Sequence, residues 1–276
     1  MANSILGYIE RQSLIHRLTG TSKLALVIAF IVAAAITFDA RLLLSCAIAN
    51  IALWALARMK LRDMKVVLIL IGTFMILNNL LIFAFEPTYG TTLFGSSHLI
   101  ADGPGRWDLT WEQLFYQALV TLKYFAVLPA VLVFVGTTPP SEFAASLNSI
   151  GLPYRFSYSV ALALRFIPDI QREFKTVSLA QQARGLDVSR KVGLAMRIRN
   201  VSRTLMPLLL GTFDRIETIA AAMELRGFGR NKTRTWLSAR SMKAADWVMI
   251  LLGIGIILAA IGAIQFNGGR FWNPFS

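Results

Sequence analysis

Two arginine-glycine pairs, Arg184 with Gly185 and Arg226 with Gly227, are the residues whose type and spacing most clearly suggest a binding chemistry. They lie forty-two positions apart in similar stretches, AQQARGLD and AMELRGFG. An arginine side chain is a planar, permanently charged fork with five donors, and it suits a carboxylate. The two pairs are therefore candidate docking points for an acidic groove on a partner protein.

A simpler interpretation is that each pair only ends a helix. Glycine adopts the left-handed conformation after a helix at little cost, and arginine in the last turn meets the negative end of the helix dipole. This interpretation is sufficient for either pair alone. Two long helices that end in the same way favour the docking role.

Other chemistry finds little support in the sequence. No GxxxxGK[ST] motif is present, and the glycine-rich tract Gly227 to Thr233 has the wrong spacing and follows a helix rather than a strand. The histidines His16 and His98 lie in segments that we predict on opposite sides of a membrane, so they cannot share a metal. No acid and base pair has convincing spacing. We therefore predict a chain without catalytic residues, resident metal or cofactor.

The composition is that of a membrane protein. Hydrophobic residues make up 55% of the 276 residues and charged residues only 16%, and the mean hydropathy is +0.58. The formal charge of +13 must lie outside the hydrocarbon. The one cysteine, Cys46, lies in an apolar run and is expected to be a small buried hydrophobe. Residues 1–20 lack the pattern of a cleaved signal peptide.

Four apolar runs predict five membrane spans, given a requirement of about 20 residues for each crossing. The run from Ser22 to Trp54 is too long for one crossing, so we predict two short spans that are separated by a polar turn at Asp39 to Arg41. The other three spans are predicted at Val66 to Phe85, Tyr116 to Gly136 and Asp246 to Ile264.

The distribution of basic residues predicts the orientation, because short cytoplasmic loops collect lysine and arginine. These residues are concentrated in the N-terminal segment, at Arg11, Arg17 and Lys23, and between the second and third spans, at Arg58, Lys60, Arg62 and Lys65. The loop from Glu86 to Gln113 contains a single basic residue, Arg106. We therefore predict a cytoplasmic N-terminus and an external C-terminus. Lys123, inside the fourth span, is expected to snorkel to the outer interface.

This orientation predicts that the segment 137–245 is cytoplasmic. It separates a first region, 1–136, which contains the N-terminal tail and four spans, from a last region, 246–276, which contains the fifth span and its tail. The segment 137–245 contains 17 Lys and Arg residues against 7 Asp and Glu residues. We predict an all-α arrangement in it: one short interfacial helix and two long crossing helices, with Pro168 and Pro207 as helix starts or hinges. Small residues in the tracts SLAQQA and IAAAM would let the long helices approach closely.

The basic stretch from Arg190 to Arg203 has two possible anionic ligands, lipid headgroups or nucleic acid. Aromatic residues for base stacking are sparse in it, which disfavours nucleic acid. We therefore expect membrane lipids as its partner.

The motifs QARG at Gln182 to Gly185, AMELRGF at Ala222 to Phe228 and LRFIPDI at Leu164 to Ile170 resemble those of a known family. It is the transmembrane T component of energy-coupling factor transporters, the EcfT/CbiQ family. The resemblance covers most of the chain in layout and is strongest between Pro139 and Arg230. It implies that two coupling-helix motifs each dock one of two ABC-type ATPase subunits: Ala183, Arg184 and Gly185 form the first, and Leu225, Arg226 and Gly227 the second, where leucine replaces the usual alanine.

The resemblance also implies the function. The chain would be a non-catalytic scaffold in the cell membrane of a prokaryote, in an ATP-driven importer of a vitamin or metal ion. ATP and magnesium would be bound by the ATPases, and the substrate by a separate membrane-embedded S component. The alternatives are a secondary transporter, for which Asn50, Asn78 and Asn79 are the main polar residues within the spans, and a membrane-bound enzyme, for which no reactive cluster is found.

Overall fold

The computed structural model describes residues 8, 11, 13–103, 105, 107–186, 193–231, 235–236 and 239–275, except for the side chain of Leu194. These residues form helices joined by short connections, with one small sheet. In chain order the elements are α1 (Leu14–Arg17), α2 (Gly20–Ile36), α3 (Ala40–Ala57), a 3-10 turn (Leu61–Met64), α4 (Lys65–Phe85), α5 (Tyr89–Phe94), β1 (Leu99–Ala101), β2 (Leu109–Thr110), α6 (Trp111–Thr137), α7 (Pro140–Ser149), α8 (Tyr154–Ala183), α9 (Leu194–Leu225) and α10 (Ala244–Phe266).

The chain forms two compact units. The first contains residues 1–146 and 240–276, and the second contains residues 147–239. The second unit lies within the segment 137–245 that the sequence predicts as a separate region. Most of α7 belongs to the first unit instead.

Four helices among the described residues are long and apolar enough to cross a membrane: α3, α4 with the preceding 3-10 turn, α6 and α10. A fifth apolar helix, α2, has 17 residues, near the lower limit for a crossing. The prediction of an all-α, multi-pass membrane protein is therefore confirmed. The helix α4 itself begins one residue before the predicted Val66.

The predicted break at Asp39 separates α2 from α3. The Asp39 Oδ1 atom accepts a hydrogen bond from the Arg41 amide at 2.8 Å, and its Oδ2 accepts one from the Asn267 side chain at 2.7 Å. Burial alone would raise the pKa of Asp39, but the bonds from Arg41 and Asn267 outweigh it and lower the pKa below its ordinary value. The stabilisation from this carboxylate is thus present above its unfolded pKa and is lost as the pH falls through the folded one.

The short helix α2 is the centre of the first unit. It packs against both α6 and α10, and α3 packs against α6. Its residues Ala29, Phe30 and Ala33 are almost completely buried. Gly253 of α10 allows the close contact, because a Cβ there would lie 3.2 Å from the Cβ of Ala29.

The N-terminus of α2 is buried, and its polar groups are bonded by carboxylates from two other helices. The Thr19 amide donates to Asp246 Oδ1 of α10 at 2.7 Å, and the Gly20 amide donates to Glu142 Oε1 of α7 at 2.8 Å. The Ser22 hydroxyl also donates to Asp246 Oδ1 at 2.7 Å. The first amides of a helix have no partner within the helix, and negative charge is favourable there. These carboxylates thus join α2, α7 and α10.

The charge pattern predicts that Lys23 lies in a cytoplasmic connection, but the structure places it within a helix. It lies in the first turn of α2, is 4% exposed, and donates from Nζ to the Thr137 carbonyl at 3.0 Å. Lys123 is partly buried, and its Nζ lies 3.1 Å from the centroid of the ring of Phe38 in the connection between α2 and α3, a cation-π contact. Hydropathy and charge counts do not detect either contact, because both partners are distant in sequence.

Residues of the loop from Glu86 to Gln113 form hydrogen bonds with the first turn of α6. Within it, β1 and β2 pair antiparallel, with Leu99 opposite Thr110. The fully buried Glu112 accepts bonds from the Ser96 hydroxyl at 2.9 Å and from His98 Nδ1 at 2.6 Å. Thr110 caps α6. The helix therefore begins at Trp111, five residues before the predicted span at Tyr116, because the polar residues there form its cap and first turn.

We expect Asp246→Ala to lower the thermal midpoint of the purified chain by about 5 °C or more, since it leaves the buried Thr19 amide and the partly buried Lys243 amide without their acceptor. Thermal unfolding in detergent measures this. The control is Asp214→Ala, which removes an exposed aspartate of α9 and should leave the midpoint unchanged. Equal shifts in both variants would contradict the role of Asp246.

Candidate functional site

The first arginine-glycine pair directly follows α8. Arg184 is the capping residue, with φ −89° and ψ 9°, and Gly185 has φ +87°, in the left-handed region. The Gly185 amide donates to the Gln182 carbonyl at 2.9 Å, and the Leu186 amide donates to the Gln181 carbonyl at 3.0 Å. These are the two hydrogen bonds of a Schellman motif, a common way to end a helix.

The second pair directly follows α9 with the same geometry. Arg226 is the capping residue, with φ −84° and ψ 9°, and Gly227 has φ +67°. The Gly227 amide donates to the Glu224 carbonyl at 2.8 Å, and the Phe228 amide donates to the Met223 carbonyl at 2.9 Å. Both motifs thus place an arginine at the same position of the same backbone structure.

The residues of the two motifs lie at the surface of the second unit. Ala183, Arg184, Gly185, Leu225 and Arg226 are exposed, and Gly227 is half-buried. Leu225 is 90% exposed, which is unusual for a large apolar side chain. The arginines also stand at the negative ends of the helix dipoles, where their charge is favourable. Each helix end therefore carries positive charge at the surface, and the second carries an apolar side chain beside it.

Contacts with the beginning of α8 hold the second motif in place. The Phe228 ring packs on Tyr154 and Tyr158, with centroid distances of 5.7 and 4.8 Å, and Arg155 Nη2 donates to the Gly229 carbonyl at 2.7 Å. These contacts are absent from the predictions made from the sequence. An apolar residue directly after the capping glycine was the signal for them. After the first motif, residues 187–192 lie outside the described residues, and with them the beginning of the basic stretch from Arg190.

An ion pair connects the two long helices, with Glu173 Oε2 of α8 at 2.8 Å from Arg215 Nη2 of α9. Both side chains are partly exposed, so the pair orients the helices more than it stabilises them. The predicted approach through small residues is only partly correct. Ser178 of the tract SLAQQA is buried, but Ala220 to Ala222 of the tract IAAAM are exposed.

The sequence predicts Pro168 and Pro207 as helix starts or hinges. The first of these two roles is wrong, because neither proline begins a helix. α8 begins at Tyr154 and α9 at Leu194, and each proline lies near the middle of its helix. Proline has no amide hydrogen, so the carbonyls of Leu164 and Arg203, four residues earlier, lose their helical donors. The helices continue through both sites, and the hinge role stays a prediction.

The two histidines have separate partners. His16 Nδ1 lies 2.7 Å from the Ser13 hydroxyl, and His98 Nδ1 lies 2.6 Å from Glu112. Among the described residues, no group of three His, Cys, Asp or Glu residues could hold a metal ion.

Comparisons with known proteins find one matching family model and several similar chains. The family model described as CbiQ, cobalt transport protein, matches residues 11–236. The energy-coupling factor transporter transmembrane protein EcfT of Limosilactobacillus fermentum is 32% identical over 154 residues, which cover 52% of this chain and 57% of that protein. EcfT of Lactococcus lactis subsp. cremoris is 28% identical over 280 residues, which cover 94% and 98% of the two chains. EcfT of Thermosediminibacter oceani is 26% identical and covers 94% and 95%.

We expect Gly185→Ala to weaken the end of α8, because a residue with a Cβ is strained at positive φ although nothing lies within 4 Å of the new atom. A cost of about 1–2 kcal/mol would speed amide hydrogen exchange at Leu186 about tenfold. The control is Gly211→Ala inside α9, where alanine should stabilise the helix and slow exchange. Unchanged exchange in Gly185→Ala would contradict the Schellman geometry.

Proposed function

This chain belongs to the CbiQ family of cobalt transport proteins, and we propose that it is the non-catalytic T component of an energy-coupling factor importer for a vitamin or a metal ion. Two relatives that match over more than nine-tenths of their length are named as transmembrane proteins of energy-coupling factor transporters. The observation that carries the proposal is the pair of helix ends with the same backbone structure, each with an exposed arginine.

In the proposed complex, Arg184 and Arg226 each dock one ABC-type ATPase subunit. A guanidinium group forms paired, charge-assisted hydrogen bonds with a carboxylate, so an acidic groove on each ATPase is the expected receptor. Because both arginines occupy the same backbone position, related ATPase subunits can bind both ends in similar ways. The ATPases supply ATP and magnesium binding, and this chain contributes neither.

The proposed coupling proceeds through α8 and α9. Closure of the ATPases on ATP would move the two docked helix ends and, through the helices, reorient a separate membrane-embedded S component that binds the substrate. The Glu173–Arg215 ion pair and the packing of Phe228 on α8 support a shared movement of the two helices. Pro168 and Pro207, with their missing helical hydrogen bonds, are the points where each helix bends most easily.

We further propose that α8 and α9 lie on the cytoplasmic side. The excess of lysine and arginine in residues 137–245 supports this placement. It implies a cytoplasmic N-terminus, an external C-terminus and a location in the prokaryotic cell membrane. Cytoplasmic ATPases could reach both motifs in this orientation.

The alternative of a secondary transporter depends on polar residues within the spans. Asn50 is buried and donates to the Ala126 carbonyl at 2.6 Å, and Asn79 donates to the Thr121 hydroxyl at 3.1 Å. These bonds join α3 and α4 to α6, which is a structural role. Substrate uptake into liposomes by the purified chain alone, without ATPases, would favour the alternative.

We expect the double variant Arg184→Glu, Arg226→Glu to lose copurification of ATPase subunits, because two attractive charges become repulsive to acidic grooves. Affinity purification followed by mass spectrometry measures the loss and identifies the subunits. The control variant Arg199→Glu, Arg203→Glu makes the same charge change at exposed positions of α9 outside the motifs. ATPases retained by the motif variant at normal yield would overturn the docking assignment.

We expect Leu225→Asp to weaken binding of an ATPase by about tenfold or more, since an exposed apolar side chain becomes buried in the interface. The stability of the chain itself should change by less than about 0.5 kcal/mol, because Leu225 is 90% exposed. Titration of the purified chain with the ATPases, together with thermal unfolding, separates the two effects. Unchanged affinity would mean that Leu225 lies outside the interface.

A further inference from the structure

An apolar groove runs along the surface of the first unit between α3, α4 and α6. It has a volume of about 330 Å³, and its lining is almost entirely apolar. Trp54 of α3, Leu68 and Gly72 of α4, and Tyr124 and Pro129 of α6 are among the lining residues. All three helices are long and apolar enough to span a membrane, so the groove lies among membrane-spanning segments.

Gly72 keeps the groove open on the side of α4. A Cβ built at this position would meet nothing within 4 Å. α4 itself has no buried residue, so the helix is packed loosely along this side. A bilayer would fill such a space with hydrocarbon, because an apolar cavity attracts apolar chains and excludes water.

The groove has a defined depth. It extends from Leu61, just before α4, to Met75 within it. From Lys65 at the start of α4 to Met75 is ten residues, or about 15 Å along the helix. This distance is half of the hydrocarbon core of about 30 Å, which is the length available to the acyl chain of one leaflet.

The end of the groove at Leu61 is strongly basic. Arg58, Lys60, Arg62 and Lys65 are all exposed there. The acidic residue of the same connection, Asp63, forms an ion pair with Arg11. The exposed charges are therefore positioned for an anionic headgroup, and each basic residue near a membrane surface adds to the attraction of anionic lipid.

We propose that this groove is a binding site for an anionic phospholipid. One acyl chain lies between α3, α4 and α6 and passes Gly72, and the phosphate group lies among Lys60, Arg62 and Lys65. The inference depends on the spans and on the charges beside them, and it does not require the proposed transport function. Such a lipid would fill the space between α4 and the rest of the first unit.

Native mass spectrometry of the full chain tests the proposal, after exchange into micelles that contain phosphatidylglycerol and phosphatidylcholine. We expect the wild-type chain to retain phosphatidylglycerol preferentially. Gly72→Leu should reduce this retention about tenfold, because the new side chain fills the groove. The control is Gly262→Leu in α10, where a Cβ also meets nothing within 4 Å, and it should retain the lipid.

A second variant tests the headgroup site without changing the groove. Lys60→Gln with Arg62→Gln should abolish the preference for phosphatidylglycerol over phosphatidylcholine, and it carries the test alone if Gly72→Leu does not fold. Lipid retention that is unchanged in both variants would overturn the proposal. Loss of a copurifying protein subunit from Gly72→Leu, with lipid retained, would also overturn it, because the groove would then be occupied by a helix of a partner.

Discussion

The buried N-terminus of α2 is the constraint on which the rest of the first unit depends. An unbonded amide inside a membrane protein costs several kcal/mol, and the first turn of a helix leaves several amides without partners. Asp246 and Glu142 accept these hydrogen bonds from distant parts of the chain. The shortest of the apolar helices can therefore be the central one, because its polar end is bonded at the same place where α7 and α10 begin.

This arrangement also holds the start of α7 within the first unit. Glu142 is 4% exposed and bonds α2 through its side chain, so the start of α7 is fixed to the first unit. The chain then continues from α7 into the second unit. Asp246 has the same effect at the other connection, because it lies in the first turn of α10, shortly after the chain returns from the second unit. The two carboxylates that bond α2 are thus close in sequence to the points where the chain leaves and re-enters the first unit.

The second unit uses charge in the opposite way. Its two arginines, Arg184 and Arg226, are exposed at helix ends. In the first unit, the carboxylates of Asp246 and Glu142 are instead buried and hydrogen-bonded. The Schellman motifs explain how two helices of different sequence reach the same result: the glycine turns the backbone, and the preceding residue is left at the helix end. The apolar residue after the second glycine, Phe228, packs on Tyr154 and Tyr158.

The sequence by itself determined the features that depend on neighbouring residues. Apolar runs predicted the spans, Asp39 predicted the break between α2 and α3, and glycine after arginine predicted both helix ends, because these signals are local in the chain. Only the tertiary structure decided the fate of Lys23, the bonds of Asp246 to Thr19 across 227 positions, the continuation of α8 and α9 through their prolines, and the exposure of Ala220 to Ala222. Each of these depends on which helix packs against which, and a polar group in a membrane protein is bonded by whatever the fold brings beside it.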